Sequence, residues 1–279
     1  MCSTCGCSAD AQDTKVWRVV ATPLQHRNIL SASPVIHAHH HHSPAEFTQL
    51  VTPQDHVQVQ KKVIDLELDI MRRNDLVAAH NQGYFEAKHI LALNLMSSPG
   101  SGKTTLLEQT LEHLKADYRL MVIEGDQQTD QDAQRIAATG VPVVQINTGK
   151  GCHLDAEMIK KALPQLGAVE SGILFIENVG NLVCPSLFTL GEHLRVVIIS
   201  VTEGEDKPIK YPDMFRSADL CIFNKIDLLP YLHYDLAKAK AFALQVNPRL
   251  QILELSATGG QGMQTWYQWL NHAWQKMIV

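Results

Sequence analysis

The fold of this chain is decided by the stretch ILALNLMSSPGSGKTTLLEQTLEHL, residues 90–114. Its first seven residues are almost all apolar, which is typical of a fully buried strand, and its last ten have the spacing of an amphipathic helix. The loop between them has the glycines and the Lys-Thr pair of a phosphate-binding loop. Ser97 replaces the usual first glycine of that motif, and the remaining positions agree with it. Strand, loop and helix together predict a nucleotide-binding α/β domain.

Each residue type in this loop has a physical use in binding a nucleotide. Glycines let backbone N–H groups curve around the phosphates, and the helix adds the positive end of its dipole. Lys103 would reach the β- and γ-phosphates, and the Thr104 hydroxyl would bind Mg²⁺. The nucleotide-binding residues predicted in this loop are Gly100, Ser101, Gly102, Lys103, Thr104 and Thr105.

Six further apolar runs follow the first and are separated by amphipathic stretches. This alternation predicts a doubly wound, mainly parallel seven-stranded α/β domain over residues 89–279, with helices on both faces of the sheet. Ligands bind to such sheets at the carboxyl ends of the strands. The runs cover residues 119–126, 141–147, 172–179, 195–203, 220–227 and 251–257.

The base of the nucleotide is indicated by NKID, residues 224–227, at the end of a predicted strand. The Asp227 carboxylate can accept two hydrogen bonds from guanine, whereas adenine offers no such pair of donors. Asn224, Lys225 and Asp227 therefore predict GTP rather than ATP. Ser256 and Ala257, after the last run, would supply a backbone contact to the guanine oxygen.

Two acidic residues at strand ends complete the predicted nucleotide site. Asp126 and Glu177 could hold Mg²⁺ with Thr104 or orient the attacking water, so that Lys103, Asp126 and Glu177 are the predicted catalytic residues. A surface acid or a helix cap is the alternative for either carboxylate. Gly180 would let a backbone N–H group approach the γ-phosphate.

A second group of residues has the chemistry of a metal site. Cys152 and His153 are adjacent in a glycine-rich loop, and Cys184 lies on another loop of the same predicted sheet edge. Thiolate and imidazole together suit Zn²⁺ or Ni²⁺. Three ligands leave a tetrahedral site incomplete, so water or a second subunit must contribute. Because Cys184 follows Gly180 by four residues, we expect GTP binding or hydrolysis to change metal affinity.

Residues 1–50 differ in composition from the rest of the chain and are predicted to form a flexible metal-binding arm. Removal of Met1 would leave a free α-amino group beside Cys2, Cys5 and Cys7. One amine with three thiolates favours Ni²⁺ in a square-planar site, with a redox-active pair as the alternative. Histidines further along would store nickel weakly, or form a solvated linker: His37, His39, His40, His41 and His42.

Residues 51–88 are predicted to be helical and to pack on the domain that follows. Their apolar side chains recur at close to helical spacing. Cys221, in the middle of a predicted strand, is expected to pack in the core. The apolar residues of the helical pattern are Val63, Leu66, Ile70, Leu76 and Val77.

Bulk properties exclude several classes of protein. The 279 residues carry a formal net charge of −5, which argues against nucleic acid as a partner. No run of about 18 apolar residues is present to cross a membrane, and the N-terminus lacks the layout of a secretory signal. The chain is therefore expected in the cytoplasm, where cysteines pack, react or bind metal rather than form disulfides.

These motifs together resemble the HypB family of hydrogenase nickel incorporation proteins, and the resemblance extends over the arm and residues 60–279. It implies a GTPase of the SIMIBI class that helps load nickel into the large subunit of nickel–iron hydrogenase. It also implies a homodimer with Cys152, His153 and Cys184 at its interface. The implied partners are a zinc-containing nickel chaperone of the HypA type and the precursor of the hydrogenase large subunit.

Two other functions compete with a GTP-switched nickel delivery protein. A related GTPase serves urease, but the cysteine-rich arm and the adjacent Cys152 and His153 argue against it. A non-enzymatic nickel reservoir with a decayed nucleotide site is the other, and the intact Lys103, Thr104 and Asp227 argue against that. A hydrogenase defect rather than a urease defect on gene deletion would exclude the first alternative. Measured GTP turnover would exclude the second.

Overall fold

The structure, a computed structural model, describes residues 14–20 and 53–278, with side chains from residue 68 onward in the second range. Eight strands form one sheet in the order β1-β4-β3-β5-β2-β6-β7-β8. The seven strands from β2 to β8 are parallel, and β1 runs antiparallel to β4. The strands are β1 (Lys15–Val19), β2 (Ile90–Ser97), β3 (Leu120–Asp126), β4 (Val143–Asn147), β5 (Gly172–Glu177), β6 (Leu194–Ser200), β7 (Leu220–Asn224) and β8 (Gln251–Glu254).

The predicted fold class is confirmed, and the sheet has one strand more than expected. The added strand, β1, lies within the segment that we expected to be a flexible arm, and it pairs Lys15 with Asn147 and Val19 with Val143. Without β1, β4 would be an edge strand with unpaired backbone N–H and C=O groups. Pairing with β1 therefore supplies hydrogen-bond partners for the outer backbone groups of β4.

Helices cover both faces of the sheet and bury its strands. Leu107 and Trp266 pack on one face, and Phe85 and Ile159 pack on the other. Cys221 of β7 is fully buried in the core, as expected. The helices are α1 (Pro53–Ala87), α2 (Lys103–Leu114), α3 (Gln131–Ala138), α4 (Ala156–Ala162), α5 (Lys207–Lys210), α6 (Pro212–Arg216), α7 (Leu236–Val246) and α8 (Met263–Ile278), with 3₁₀ turns at Leu163–Leu166, Cys184–Ser186 and Ile226–Tyr231.

From residue 71 onward, α1 is fixed to the sheet domain by asparagine side chains as well as by apolar contacts. Asn81 is buried, and its Nδ2 donates to the carbonyl oxygens of Ala156 at 2.8 Å and Leu190 at 3.0 Å. The Oδ1 of Asn74 accepts from the backbone N–H of Ala156 at 2.9 Å. Asn81 thus supplies a donor for the buried loop carbonyl of Leu190, and Asn74 supplies an acceptor for a backbone N–H in the first turn of α4, where a helix leaves such groups unpaired.

The apolar pattern predicted for α1 was wrong at Ile70 and Leu76, which are 45% and 74% exposed. The buried side chains of this part of the helix include Asn74, Ala78, Asn81 and Phe85 instead. The helix packs on loops that present backbone polar groups, so a polar residue is favoured where a purely apolar stripe was expected.

The carboxyl ends of the parallel strands all lie at one edge of the sheet. This edge carries Ser97, Asp126, Asn147, Glu177 and Asn224 as the last residues of β2, β3, β4, β5 and β7. Loops with very different chemistry therefore start side by side. Among the described residues, no helix is long and apolar enough to cross a membrane.

Replacing Asn81 with alanine tests the docking of α1. The change leaves the buried carbonyl oxygen of Leu190 without its donor, whereas that of Ala156 keeps its partner within α4, so we expect the free energy of unfolding to fall by about 1–3 kcal/mol. Leu76→Ala, five residues earlier on the exposed side of the same helix, is the control and should cost less than about 0.5 kcal/mol. Urea unfolding of both variants measures the difference, and equal losses would contradict this account.

Candidate nucleotide and metal site

The loop after β2 turns tightly into the first residue of α2. Gly100 and Gly102 have φ angles of +75° and +91°, in the left-handed region that favours glycine. A Cβ atom on Gly102 would also lie 2.5 Å from Nδ2 of Asn224, so the close approach itself requires glycine. The loop borders a cavity of about 520 Å³. Other loops line this cavity with Glu124, Asp126, Arg135, Glu177, Gly180 and Lys225.

Three of the predicted nucleotide-site residues meet at the base of this cavity. The Thr104 hydroxyl donates to Oε1 of Glu177 at 2.7 Å, and Nζ of Lys103 donates to the same oxygen at 3.1 Å. Glu177 is 1% exposed, and its Oε2 is buried without a hydrogen-bond partner. The predicted cation-binding hydroxyl and carboxylate are therefore adjacent, with one carboxylate oxygen available for a further partner.

Asp126 lines the same cavity, but its carboxylate is bonded to its own loop. Its Oδ2 accepts from the backbone N–H of Thr129 at 2.8 Å and from the Thr129 hydroxyl at 2.9 Å. Partial burial acts to raise the pKa of Asp126, and the hydrogen bonds from Thr129, Gln127 and Gln128 outweigh it and lower the pKa below its usual value. The Asp126 carboxylate is therefore ionised and is held by Thr129 at the lining of the cavity.

Glu124 is a site residue that the sequence analysis missed. It pairs with Glu177 across β3 and β5, is 2% exposed, and its Oε2 is also buried without a partner. Burial, followed by the charges of Glu177 and Asp126, raises the pKa of Glu124 to about 9. A charged residue within an apolar strand was the available signal. The unpartnered Oε2 of Glu177 and the Thr104 hydroxyl bonded to the same carboxylate are oxygen donors that fit a hard cation such as Mg²⁺, and Glu124 lines the same cavity.

Asn224 links three loops of the predicted guanine site. Its Nδ2 donates to the carbonyl oxygen of Ser101 at 2.9 Å, and its Oδ1 accepts from the backbone N–H groups of Lys225 at 2.8 Å and Ala257 at 3.1 Å. Lys225, at a φ of +63°, donates from Nζ to the carbonyl oxygen of Gly100 at 2.7 Å. The NKID segment is thus fixed against the phosphate-binding loop.

Asp227 lies exposed in the 3₁₀ turn that follows, beside the loop after β8. The buried Ser256 hydroxyl oxygen accepts from the backbone N–H of Gly259 at 2.8 Å and shapes this loop. A Cβ atom on Gly259 would lie 4.0 Å from Cβ of Asp227. The structure therefore brings both predicted guanine-recognition segments to the same place.

Gly180 places the loop after β5 against the phosphate-binding loop. A Cβ atom at this position would lie 3.2 Å from Cα of Pro99, so a side chain would push the two loops apart. The segment from Glu177 to Gly180 therefore contacts the phosphate-binding loop twice, through the Glu177 carboxylate and through its own backbone.

The three predicted metal ligands of the sheet edge come together within one chain. Sγ of Cys152 lies 2.8 Å from Sγ of Cys184 and 3.8 Å from Nδ1 of His153. One ligand atom from each residue lies within 4.8 Å of the other two. Such a spacing allows all three to bind one ion of the size and softness of Zn²⁺ or Ni²⁺.

The His153 ring is fixed by stacking on Phe188, with ring centroids 4.1 Å apart and planes 19° apart. Burial lowers the pKa of His153 below its usual value. The neutral imidazole, which is the form that binds metal, is therefore favoured. The predicted ligands of the arm, namely Cys2, Cys5, Cys7, His37 and His39 to His42, lie outside the described residues.

Arg135 is a second cavity residue that the sequence analysis did not identify. From α3 it donates to the Thr105 hydroxyl oxygen at 3.1 Å and to the Glu108 carboxylate on α2. It also forms an ion pair with Asp132 at 3.1 Å. The contacts with Thr105 and Glu108 join residues about thirty positions apart, and no local pattern indicates them.

The chain is similar in sequence and in fold to known proteins. Residues 91–254 match the family described as CobW/HypB/UreG, nucleotide-binding domain. The chain is 57% identical over 211 residues to the hydrogenase maturation factor HypB of Azotobacter chroococcum, which covers 76% of this chain and 69% of that protein. The HypB of Escherichia coli K12 is 56% identical over 211 residues, with 76% and 73% covered.

A solved structure of HypB from Helicobacter pylori in complex with nickel is similar to this fold, with a TM-score of 0.69 and 38% sequence identity. The similarity covers 73% of this chain and 96% of that one. On the sequence match, the fold and these relatives, the chain belongs to the HypB family of hydrogenase maturation factors, which are nickel-binding P-loop GTPases.

Proposed function

We propose that the chain is a GTP-hydrolysing nickel metallochaperone of nickel–iron hydrogenase maturation, in which metal binding is coupled to nucleotide state and to dimerisation. The observation that carries this proposal is the course of residues 177–184. The segment begins with Glu177 bonded to Lys103, passes Gly180 against the phosphate-binding loop, and ends with Cys184 2.8 Å from Cys152. The names of the relatives support the link to hydrogenase, and the nickel complex of one relative supports nickel.

In this proposal GTP occupies the cavity of about 520 Å³. The backbone of Gly100 to Thr105 and the Lys103 ammonium group hold the phosphates, since N–H groups and a cation converge there. Asp227 accepts hydrogen bonds from guanine, and the Ser256–Ala257 backbone contacts the guanine oxygen. Asn224 and Lys225 keep these segments in register with the phosphate-binding loop.

Thr104, Glu177 and Asp126 would hold Mg²⁺, which when bound supplies positive charge to the β- and γ-phosphates. Glu177 would then exchange its bonds to Lys103 and Thr104 for bonds to the attacking water, which it would orient toward the γ-phosphate. Lys103, released from Glu177, would stabilise the negative charge that develops on the transferred phosphoryl group.

The metal site would respond because Cys184 shares a segment with Glu177 and Gly180. Movement of this segment when the γ-phosphate is lost would change the distance from Cys184 to Cys152 and His153. Three ligands leave one tetrahedral position, which water or a second subunit of a homodimer would fill. Dimerisation would thereby become part of the coupling.

We further propose that residues 1–50, apart from strand β1, are the metal-binding arm, with residues 51–88 the helical lead-in and residues 89–279 the GTPase domain. Nickel held by Cys2, Cys5 and Cys7, with weaker storage on the histidine run, would pass through the sheet-edge site to a HypA-type zinc-containing chaperone. The final recipient would be the precursor of the hydrogenase large subunit.

Asp227→Asn tests the base. Asparagine presents an NH₂ group where guanine presents donors, so we expect GTP affinity to fall on the order of 100-fold as two charge-assisted hydrogen bonds are lost. Xanthosine triphosphate has an oxygen in place of the guanine amine, and its affinity should rise. Calorimetric titration with both nucleotides measures the change, with Asp235→Asn as the surface control. Unchanged GTP affinity would refute the assignment.

Glu177→Gln tests hydrolysis. The amide keeps an oxygen that can accept from Thr104 but loses the charge that orients water, so we expect single-turnover GTP hydrolysis to slow on the order of 100-fold. Glu112→Gln, exposed on α2, serves as the control. The rate is measured as phosphate release. A Glu177→Gln variant that hydrolyses GTP at the parent's rate would exclude Glu177 from catalysis. A parent that does not hydrolyse GTP would favour the alternative of a non-enzymatic nickel reservoir.

Cys184→Ala tests the coupling. In a full-length chain with Cys2, Cys5 and Cys7 changed to serine, we expect nickel affinity to differ about fivefold or more between the GDP and GTP-analogue forms. Cys184→Ala should lose both tight binding and this difference, whereas Cys221→Ala, which removes a core thiol, should keep them. Equal nickel affinity of the parent in both forms would disprove the coupling.

A further inference from the structure

A single buried amide, that of Asn178, is bonded to both loops that the proposed function couples. Its Oδ1 accepts from the backbone N–H of Leu154 at 3.1 Å and from the backbone N–H of Val179 at 3.0 Å. Leu154 directly follows His153. Val179 directly precedes Gly180, whose backbone lies against the phosphate-binding loop. The same oxygen atom therefore touches the metal loop and the nucleotide loop.

The other side of the amide is anchored in the sheet. Nδ2 of Asn178 donates to Oδ1 of Asn94 at 3.2 Å, and Nδ2 of Asn94 donates to Oε1 of Glu192 at 3.1 Å. Asn94 lies in β2, the strand that leads directly into the phosphate-binding loop. Both asparagines are completely buried. The amide therefore also ties both loops to the strand that leads into the phosphate-binding loop.

The same network also reaches the segment that carries the remaining ligand. Nε of Arg195 donates to Oε1 of Glu192 at 2.6 Å, and its guanidinium group donates to the carbonyl oxygens of Ser186 at 3.3 Å and Phe188 at 3.4 Å. Ser186 shares a 3₁₀ turn with Cys184, and Phe188 stacks on His153. Buried groups beyond the ligands hold a metal site in shape in this way.

This arrangement has a consequence for movement. In a buried environment neither Leu154 N–H nor Val179 N–H can exchange its bond for one to water, so leaving either unpaired is costly. If the nucleotide shifts Val179, Asn178 must follow it or lose that bond, and following it displaces Leu154 and His153. The two loops are therefore linked through this fully buried side chain, beside a longer bond of 3.4 Å from Nδ2 of Asn181 to the carbonyl oxygen of Cys152.

We propose that Asn178 is the positioning residue that transmits nucleotide state to the Cys152–His153–Cys184 site, through the bonds of its Oδ1 to Leu154 N–H and Val179 N–H. This inference rests on the coupling proposed above and names the group that carries it.

The test uses the full-length chain with Cys2, Cys5 and Cys7 changed to serine, and nickel as the probe. Nickel affinity is measured with GDP and with a non-hydrolysable GTP analogue, and the ratio of the two affinities reports the coupling. Asn178→Ala removes the shared acceptor and should reduce a ratio of about fivefold or more to less than about twofold. Asn178→Asp keeps the acceptor oxygens and should retain most of the ratio.

Asn247→Ala is the matched control, because Asn247 is also a buried amide. Its Nδ2 donates to the carbonyl oxygens of Phe215 at 3.0 Å and Ala218 at 2.9 Å, among residues that form neither loop. This variant should keep the parent's ratio. If it loses the ratio as fully as Asn178→Ala does, the effect is general loosening and the inference fails.

Hydrogen exchange gives a second readout that needs no variant at Asn178. Addition of the GTP analogue to the GDP form should change the exchange rate of the Leu154 amide, and an unchanged rate would overturn the inference. Equal nickel affinity of the parent in the GDP and GTP-analogue forms, a ratio of one, refutes the proposed coupling itself. A parent ratio of fivefold that Asn178→Ala leaves intact refutes only the role of Asn178, so the two failures are distinguishable.

Discussion

The parallel direction of the strands is the constraint on which the rest of the structure depends. Because β2 to β8 all run the same way, their carboxyl ends meet at one edge, and their loops are neighbours there. The strand order places β5 between β3 and β2. Glu177, at the end of β5, is therefore flanked by the phosphate-binding loop on one side and by Asp126 on the other. The metal loop, which follows β4, starts one strand beyond β3.

The site is built at a cost in stability. Glu124, Glu177, Asn94 and Asn178 occupy fully buried positions in or beside central strands, where apolar residues pack without desolvation. Removing carboxyl groups from water is unfavourable, and the raised pKa of Glu124 shows that its ionised form is disfavoured. Departures of this kind from the rules of core packing are expected where a ligand supplies the missing partners. The two unpartnered carboxyl oxygens point to that explanation.

Structural features that depend on a short stretch of sequence could be predicted, and features that depend on contacts between distant residues could not. Every central strand was recognisable as an apolar run, and SSPGSGKTT lies at the end of the first of them. Cys152, His153 and Cys184 were grouped because strand ends share an edge, and the structure brings them together. Strand β1 escaped prediction because its KVWRV sequence is ordered by distant contacts, chiefly its pairing with β4. Arg135 escaped because its contacts with Thr105 and Glu108 join two helices through side chains alone.

In the proposed function, the group of three ligands at the sheet edge suits delivery of a metal. Within the described part of the chain, Cys152, His153 and Cys184 form a group of three, and no fourth Cys, His, Asp or Glu joins it. A site closed by four protein ligands holds zinc or nickel firmly and serves structure, whereas an open position admits an incoming ligand. A recipient can then bind the ion before these ligands release it, so the metal need never be free in solution. Movement of Cys184 while the recipient is bound would weaken one of the three bonds between this chain and the metal. In the proposed coupling, nucleotide state would thereby set the direction of transfer.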